Sequence, residues 1–180
     1  MKSATTQTDT KQRYADRLLY ATAPCTLGWV LVARGSSGVR AVLIGDTAEA
    51  LASDLATRFP KARLLGDEGA VRDDTTKVVQ FLEAPAKGLD LVLELDGTPF
   101  QHRVWDEVRR VGAGDTVSYK ELAARVGPLA SPRAVARACA ANPAALAVPC
   151  HRVVRSDEAL AGYRWGLDRK RQLLRNEARA

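Results

Sequence analysis

Residues 118–143 read SYKELAARVGPLASPRAVARACAANP, and their punctuation decides the architecture. Ser118 and Glu121 stand three apart ahead of an apolar run. At that spacing a hydroxyl and a carboxylate satisfy each other's free backbone N–H groups at a helix start. A short helix through Val126 follows, and Gly127-Pro128 breaks it. Ser131-Pro132 repeats the start signal, an N-cap followed by proline in the first turn. The second helix, Arg133 to Ala141, stops at Asn142-Pro143. Two short helices with a tight break between them have the rhythm of a helix-turn-helix, and an ordinary helical hairpin has it too. In the first case Arg133 and Arg137 lie one turn apart on the recognition helix.

Working outward, Thr98-Pro99-Phe100-Gln101 is another capping box. Its helix carries Val104, Trp105, Val108 and Val111 at helical spacing and ends at Gly112-Ala113-Gly114-Asp115. Upstream, Leu27–Arg34 and Val39–Ile44 flank a Gly35-Ser36-Ser37-Gly38 turn and predict a hairpin. Thr47–Phe59 and Val71–Glu83 read as helices, and the alternating Leu89–Leu95 as a strand. Downstream, Leu146–Val154 is an apolar strand-like run interrupted by Pro149-Cys150-His151-Arg152. Gly162–Gly166 reads as a loop, and Leu167–Ala178 as a basic amphipathic helix with Leu167, Arg171 and Leu174 following its turns. The expected organisation is a disordered tail over 1–12, an α/β domain over 13–95 and a helical domain over 96–180.

The 180 residues suffice for one ordinary domain or two small ones, and 46% hydrophobic with 27% charged residues excludes a disordered or collagenous chain. No apolar run reaches the length of a membrane span, about 18 residues. The start, MKSATTQTDTKQR, lacks the apolar core of a secretory signal. Three cysteines, Cys25, Cys139 and Cys150, are too few for a disulfide framework, and their odd number leaves a free thiol. A cytoplasmic, monomeric protein without membrane contact is expected. The net charge of +6 is unevenly placed: residues 1–90 carry 12 Lys and Arg against 11 Asp and Glu, residues 91–180 carry 15 against 10. In the second half Arg outnumbers Lys 13 to 2, which suits hydrogen bonding to phosphates and base edges. A genome that writes Arg for Lys gives the same bias.

Cys150 and His151 are the residues with chemistry in them. A thiol becomes a strong nucleophile only as its thiolate, and a nearby base or cation promotes that form. Adjacent residues rarely touch, so His151 would act through a water. A buried cysteine beside a satisfied histidine has the same pattern, and a cysteine protease is conceivable on the pair alone. Zinc is the other candidate, since three Cys and two His could supply four ligands. However, no CxxC spacing occurs and His102 falls inside a predicted helix.

The stretch Val148-Pro149-Cys150-His151-Arg152-Val153-Val154 resembles the active-site signature of the O6-alkylguanine-DNA alkyltransferases. Gly97-Thr98-Pro99-Phe100-Gln101 with Val104-Trp105 resembles that family's opening helix. Gly114-Asp115-Thr116-Val117-Ser118-Tyr119 with Glu121-Leu122-Ala123 resembles its first helix-turn-helix element. Arg133 nine residues before Asn142, Asn142 eight before Cys150, the Gly162-Tyr163-Arg164-Trp165-Gly166 loop and Glu177 keep its spacing. The likeness is continuous from Gly97 to the end and looser from about Arg13 to Leu95. The tail is most similar to members that form the C-terminal module of larger bacterial regulators. The cysteine-rich zinc domain and transcription-factor helices of those regulators have no counterpart here, so a stand-alone protein or an excised module is expected.

The resemblance implies a ribonuclease-H-like α/β N-terminal domain and an all-α C-terminal domain with a winged-helix-like helix-turn-helix. It implies irreversible, single-turnover transfer of an alkyl group from O6-alkylguanine in double-stranded DNA to Cys150, with no metal or cofactor. O4-alkylthymine is a second candidate substrate. In this reading His151 is the water-mediated base, Glu177 orients it, and Asn142 holds the turn around the cysteine. Tyr119 donates to the guanine ring as its oxygen is freed. Arg133 fills the gap left by the flipped base, and Ser131, Arg137, Tyr119 and Cys139 complete the DNA-facing set. Val148, Pro149, Tyr163, Arg164 and Trp165 form the substrate pocket. The bulk of Arg164 and Trp165 bears on how large an adduct is accepted. The alternatives are a non-enzymatic alkyltransferase-like protein that only marks lesions, whose members lack the cysteine, and a helix-turn-helix regulator.

Overall fold

The computed structural model describes residues 17–157, 159–160 and 162–179, so the expected tail lies outside the described residues. The first half is built on a four-stranded sheet of β1 (Arg17–Cys25), β2 (Gly28–Arg34), β3 (Val39–Gly45) and β4 (Arg63–Gly66) in the order β3-β2-β1-β4. Its first two pairings are antiparallel, and β4 joins β1 in parallel. The β2–β3 hairpin is the expected one. Val30 to Ala33 and Ala41 to Ile44 are buried without a break. Both faces of these strands are therefore covered, which is why their apolar runs do not alternate. Strands β1 and β4 carry no comparable signal: β1 contains Pro24 and is mostly half-buried, and β4 has only four residues.

Helix α1 (Ala48–Arg58) starts at the Thr47 N-cap and packs Leu51 and Leu55 on the sheet. Helix α2 (Glu68–Glu83) starts three residues earlier than expected, because Asp67 caps it by accepting from the Ala70 N–H. The strand expected over Leu89–Leu95 does not form. That segment makes one bridge, Leu93 with Val39, and leaves Val92 exposed. The reason lies in the outer edge of β3, which two segments divide between them. Val39 bonds to Val92 and Glu94, whereas Val42 bonds to Pro143 and Ala145. Neither neighbour has room for a ladder.

The second half holds α3 (Pro99–Arg109), α4 (Tyr119–Val126), α5 (Pro132–Ala140) and α6 (Leu167–Glu177). The capping boxes at Thr98/Gln101 and Ser118/Glu121 both form, and Ser131 caps α5 through Ala134 N–H. Trp105 fastens α3 to α5, its Nε1 donating to Ala138 O at 2.9 Å. Gly97 is needed beneath it, because a Cβ there would lie 2.7 Å from the indole ring. Losing such a buried ring typically costs about 3–5 kcal/mol.

Three expectations require correction here. The second half is not all-α: β5 (Val117–Ser118) and β6 (Val153–Val154) pair in parallel. Residues 146–148 are not a strand. After running along β3 the chain must reverse, and Leu146 does so at φ 69°, a left-handed conformation unusual for a branched residue. Cys150–Arg152 then form a single 3-10 turn. Finally, the buried side of α6 is not the Leu167, Arg171, Leu174 stripe. It is Lys170, Leu173 and Glu177, with Leu167 exposed. Two charged residues on the inward face of α6 point to partners, and these lie in the Cys150 turn and at Val153 just after it.

Candidate active site

Cys150 opens the 3-10 turn, nearly buried, with Asn142 wrapped around it. The Asn142 Nδ2 donates to Val148 O at 2.8 Å and faces Cys150 Sγ at 3.2 Å, while its Oδ1 accepts from Ala144 N–H at 2.9 Å. A fully buried amide with these partners fixes both the turn and the sulfur. Burial pushes the Cys150 thiol up, and the Asn142 hydrogen bond and the nearby Lys170 ammonium oppose it.

His151 pairs with Glu177, with Nε2 2.8 Å from Oε1. An ionised carboxylate only accepts, so Nε2 carries the proton and Nδ1 carries the lone pair. That buried Nδ1 has no hydrogen-bond partner among the described residues. Burial lowers the His151 pKa, and Glu177 partly offsets this. Burial alone would raise Glu177. Hydrogen bonds from His151 and Arg152 outweigh it and hold the carboxyl at about 2. Arg152 grips Glu177 through Nε at 2.9 Å and a terminal nitrogen at 2.8 Å, and its other nitrogen donates to Val111 O at 2.6 Å. Lys170 is fully buried and donates to Val153 O at 2.6 Å. Arg152 and Lys170 are the two functional groups that the sequence reading passed over. Arg152 could have been found as a lone cation inside the apolar run around Cys150; Lys170 carries no such signal in the sequence.

Cys150 faces a cavity of about 370 Å³ lined by Tyr119, Ala136, Cys139, Ala140, Gly162, Tyr163 and Arg164. Small residues on α5 leave the space, and two tyrosines bound it. Burial, with Cys139 and Cys150 adding to it, pushes the Tyr119 hydroxyl up to about 12, so it is a proton donor at neutral pH. Burial likewise puts the Cys139 thiol at about 12. Of the remaining expected residues, Arg133 and Arg137 are exposed on α5, and the Ser131 hydroxyl is engaged as the N-cap. Trp165, Val148 and Pro149 stand outside the cavity lining. Trp165 is buried behind Tyr163, its ring 5.2 Å from the tyrosine's. Pro149 lines a separate cavity with Phe81 and Leu91 of the first half. For zinc, no cluster of three or more possible ligands occurs among the described residues, and His102 packs edge-on against Trp105.

A mixed sheet is joined to a largely helical half in which a buried, hydrogen-bonded thiol lies beside a pair of short helices. Residues 99–179 match the family described as 6-O-methylguanine DNA methyltransferase, DNA binding domain. The bifunctional transcriptional activator/DNA repair enzyme Ada of Escherichia coli strain K12 is 45% identical over 88% of this chain and 45% of its own length. The chain thus spans somewhat under half of that relative. The methylated-DNA–protein-cysteine methyltransferase of Kluyveromyces lactis is 31% identical over 89% of the chain and 90% of its length. The crystal structure of Mycobacterium tuberculosis OGT in complex with DNA superposes with a TM-score of 0.72 at 31% identity, covering 89% of this chain and 93% of that one. This chain belongs to the methylated-DNA–protein-cysteine methyltransferase family.

Proposed function

We propose that this chain repairs DNA by direct reversal, moving the alkyl group of O6-alkylguanine in duplex DNA onto Cys150. The carrying observation is that, of the two sulfurs lining the cavity, the one at Cys150 receives the Asn142 hydrogen bond and adjoins the His151–Glu177 pair. His151 Nδ1 takes the thiol proton, through a water. The thiolate attacks the alkyl carbon, the S–C bond forms as the C–O bond breaks, and the electron pair returns to O6. Tyr119 donates to the ring as that oxygen is freed, stabilising the leaving base. The thioether has no route back to a thiol, so each molecule acts once. No cofactor enters, and O4-alkylthymine is a second candidate substrate.

A lesion stacked in a duplex cannot reach a cavity of this kind, so the base is flipped at a cost of a few kcal/mol. Arg133, at the exposed start of α5, fills the space it leaves. Arg137 and the free N–H groups near Ser131 meet phosphates. The strand order β3-β2-β1-β4 supports a ribonuclease-H-like first domain, with a boundary near residue 95. The β5–β6 pair beside α4 and α5 supports a winged-helix-like helix-turn-helix. No described helix is long and apolar enough to cross a membrane. We take the protein to be a cytoplasmic monomer.

The test is intact mass after incubation with duplex DNA containing one O6-methylguanine. Gain of a single methyl, mapped to the Cys150 peptide and unchanged by further DNA, is expected. Tight lesion binding without mass gain would instead make this a non-enzymatic lesion-marking protein.

A further inference from the structure

The loop that walls the cavity is held from the other half of the molecule. Asp54 on α1 divides its carboxylate, accepting from Arg58 Nε at 3.0 Å and from Arg164 at 3.3 Å. Arg58 in turn lies over the Trp165 ring, 6.0 Å from its centroid. Trp165 meets Tyr163 edge-on, and Tyr163 meets His151 edge-on at 6.4 Å. A continuous run of contacts therefore joins α1 to the imidazole. The loop it holds turns on Gly162 and Gly166, both at positive φ.

We infer that Asp54 is a positioning residue for the alkyl-acceptor cavity: by pairing with Arg164 while it orders Arg58 under Trp165, it keeps the 162–166 loop and Tyr163 in the cavity wall. This rests on the reading of that cavity as the acceptor site. The charge arrangement makes Asp54 the sensitive member. Two guanidiniums share one carboxylate, and Arg58 is largely buried. Without the carboxylate they repel each other, and the exposed one, Arg164, moves away with its loop. An isolated surface ion pair contributes little. Here the pair governs the placement of a loop rather than the stability of the fold.

The full-length variants Asp54→Asn, Asp54→Glu, Arg164→Gln and the double Asp54→Asn/Arg164→Gln test this. Trypsin cleavage after Arg164 reports the loop without reference to activity, and Asp54→Asn is expected to accelerate it about tenfold, with Asp54→Glu close to wild type. Single-turnover transfer from saturating methylated duplex should slow about tenfold in Asp54→Asn, with DNA affinity unchanged. The double variant should be no slower than the slower single one, because both substitutions break one contact. Wild-type cleavage and transfer rates in Asp54→Asn, additive losses in the double variant, or a loss confined to DNA affinity would overturn the assignment. Failure of wild-type protein to transfer at all would count against the acceptor reading instead. Loss of the folded state in Asp54→Asn, seen as a collapsed unfolding midpoint, leaves Arg164→Gln to decide. That variant keeps the Asp54–Arg58 pair and removes a cavity-lining side chain together with its Asp54 contact; it must show the slowed transfer, and Arg164→Lys, which can still pair with Asp54, must recover it.

Discussion

Arg152 and Glu177 are joined by two parallel hydrogen bonds, at 2.9 and 2.8 Å, and the same carboxylate also receives His151. One buried anion thus fixes both residues that follow Cys150. Its pKa of about 2 lies below the ordinary 4.5, so it contributes stability that is full above about pH 5 and is lost as pH falls toward 2. Glu177→Gln leaves Arg152 buried without a counter-charge, which should cost about 3–5 kcal/mol at pH 7. Urea unfolding from pH 7 to 3 should show a steep fall for wild type and a shallower one for Glu177→Gln. Parallel curves would remove Glu177 from this role.

Cys139 and Cys150 share one cavity but not one chemistry. Burial raises both thiols, and at Cys150 the Asn142 hydrogen bond opposes the rise. Cys150→Ser should abolish transfer and keep lesion binding, whereas Cys139→Ala should transfer within about threefold of wild type. Peptide mapping that finds the alkyl group on Cys139, with Cys150 free, would reverse the assignment.

The lowered pKa of His151 has a kinetic sign. A base whose pKa lies below 6.5 stays neutral as the pH falls through that value. The single-turnover rate should therefore not halve near pH 6.5, and His151→Ala should be slowed by about a hundredfold or more. Rates measured from pH 5.5 to 8 on saturating duplex check both. A midpoint at the free-histidine value would mean that the imidazole is not buried during reaction.

Arg133→Ala separates flipping from chemistry. Repair of duplex DNA at saturation should slow by about tenfold or more, while reaction with O6-methylguanine supplied as the free base, which needs no extrusion, should hardly change. An arginine that only touches phosphate would weaken binding and lose its defect at saturation.

The helices were legible from Ser118, Ser131 and Thr98, because capping chemistry is local and depends on three or four neighbouring residues. The hairpin was legible for the same reason. What was not legible depends on distant partners. Leu89–Leu95 alternates as a strand should, yet Pro143–Ala145 occupies the edge it would need. Lys170 and Glu177 read as solvated charges on a basic helix until Val153 and Arg152 are placed against them. Cys150 and His151 stood out as an adjacent thiol and imidazole, and Asn142 through the family resemblance, whereas Asp54 lies 110 residues from Arg164 and nothing near it in the chain announces the contact.

The divided edge of β3 also bears on how the molecule fails. Val42 finds its partners in Pro143 and Ala145, residues that lead directly into the cysteine turn. Displacing those residues would leave Val42 without these partners on the outer edge of β3, with Ala41 to Ile44 behind it. Such an edge invites pairing with other chains. The hydrogen bonds that seat the Cys150 turn are therefore also the ones that cover the open edge of the sheet.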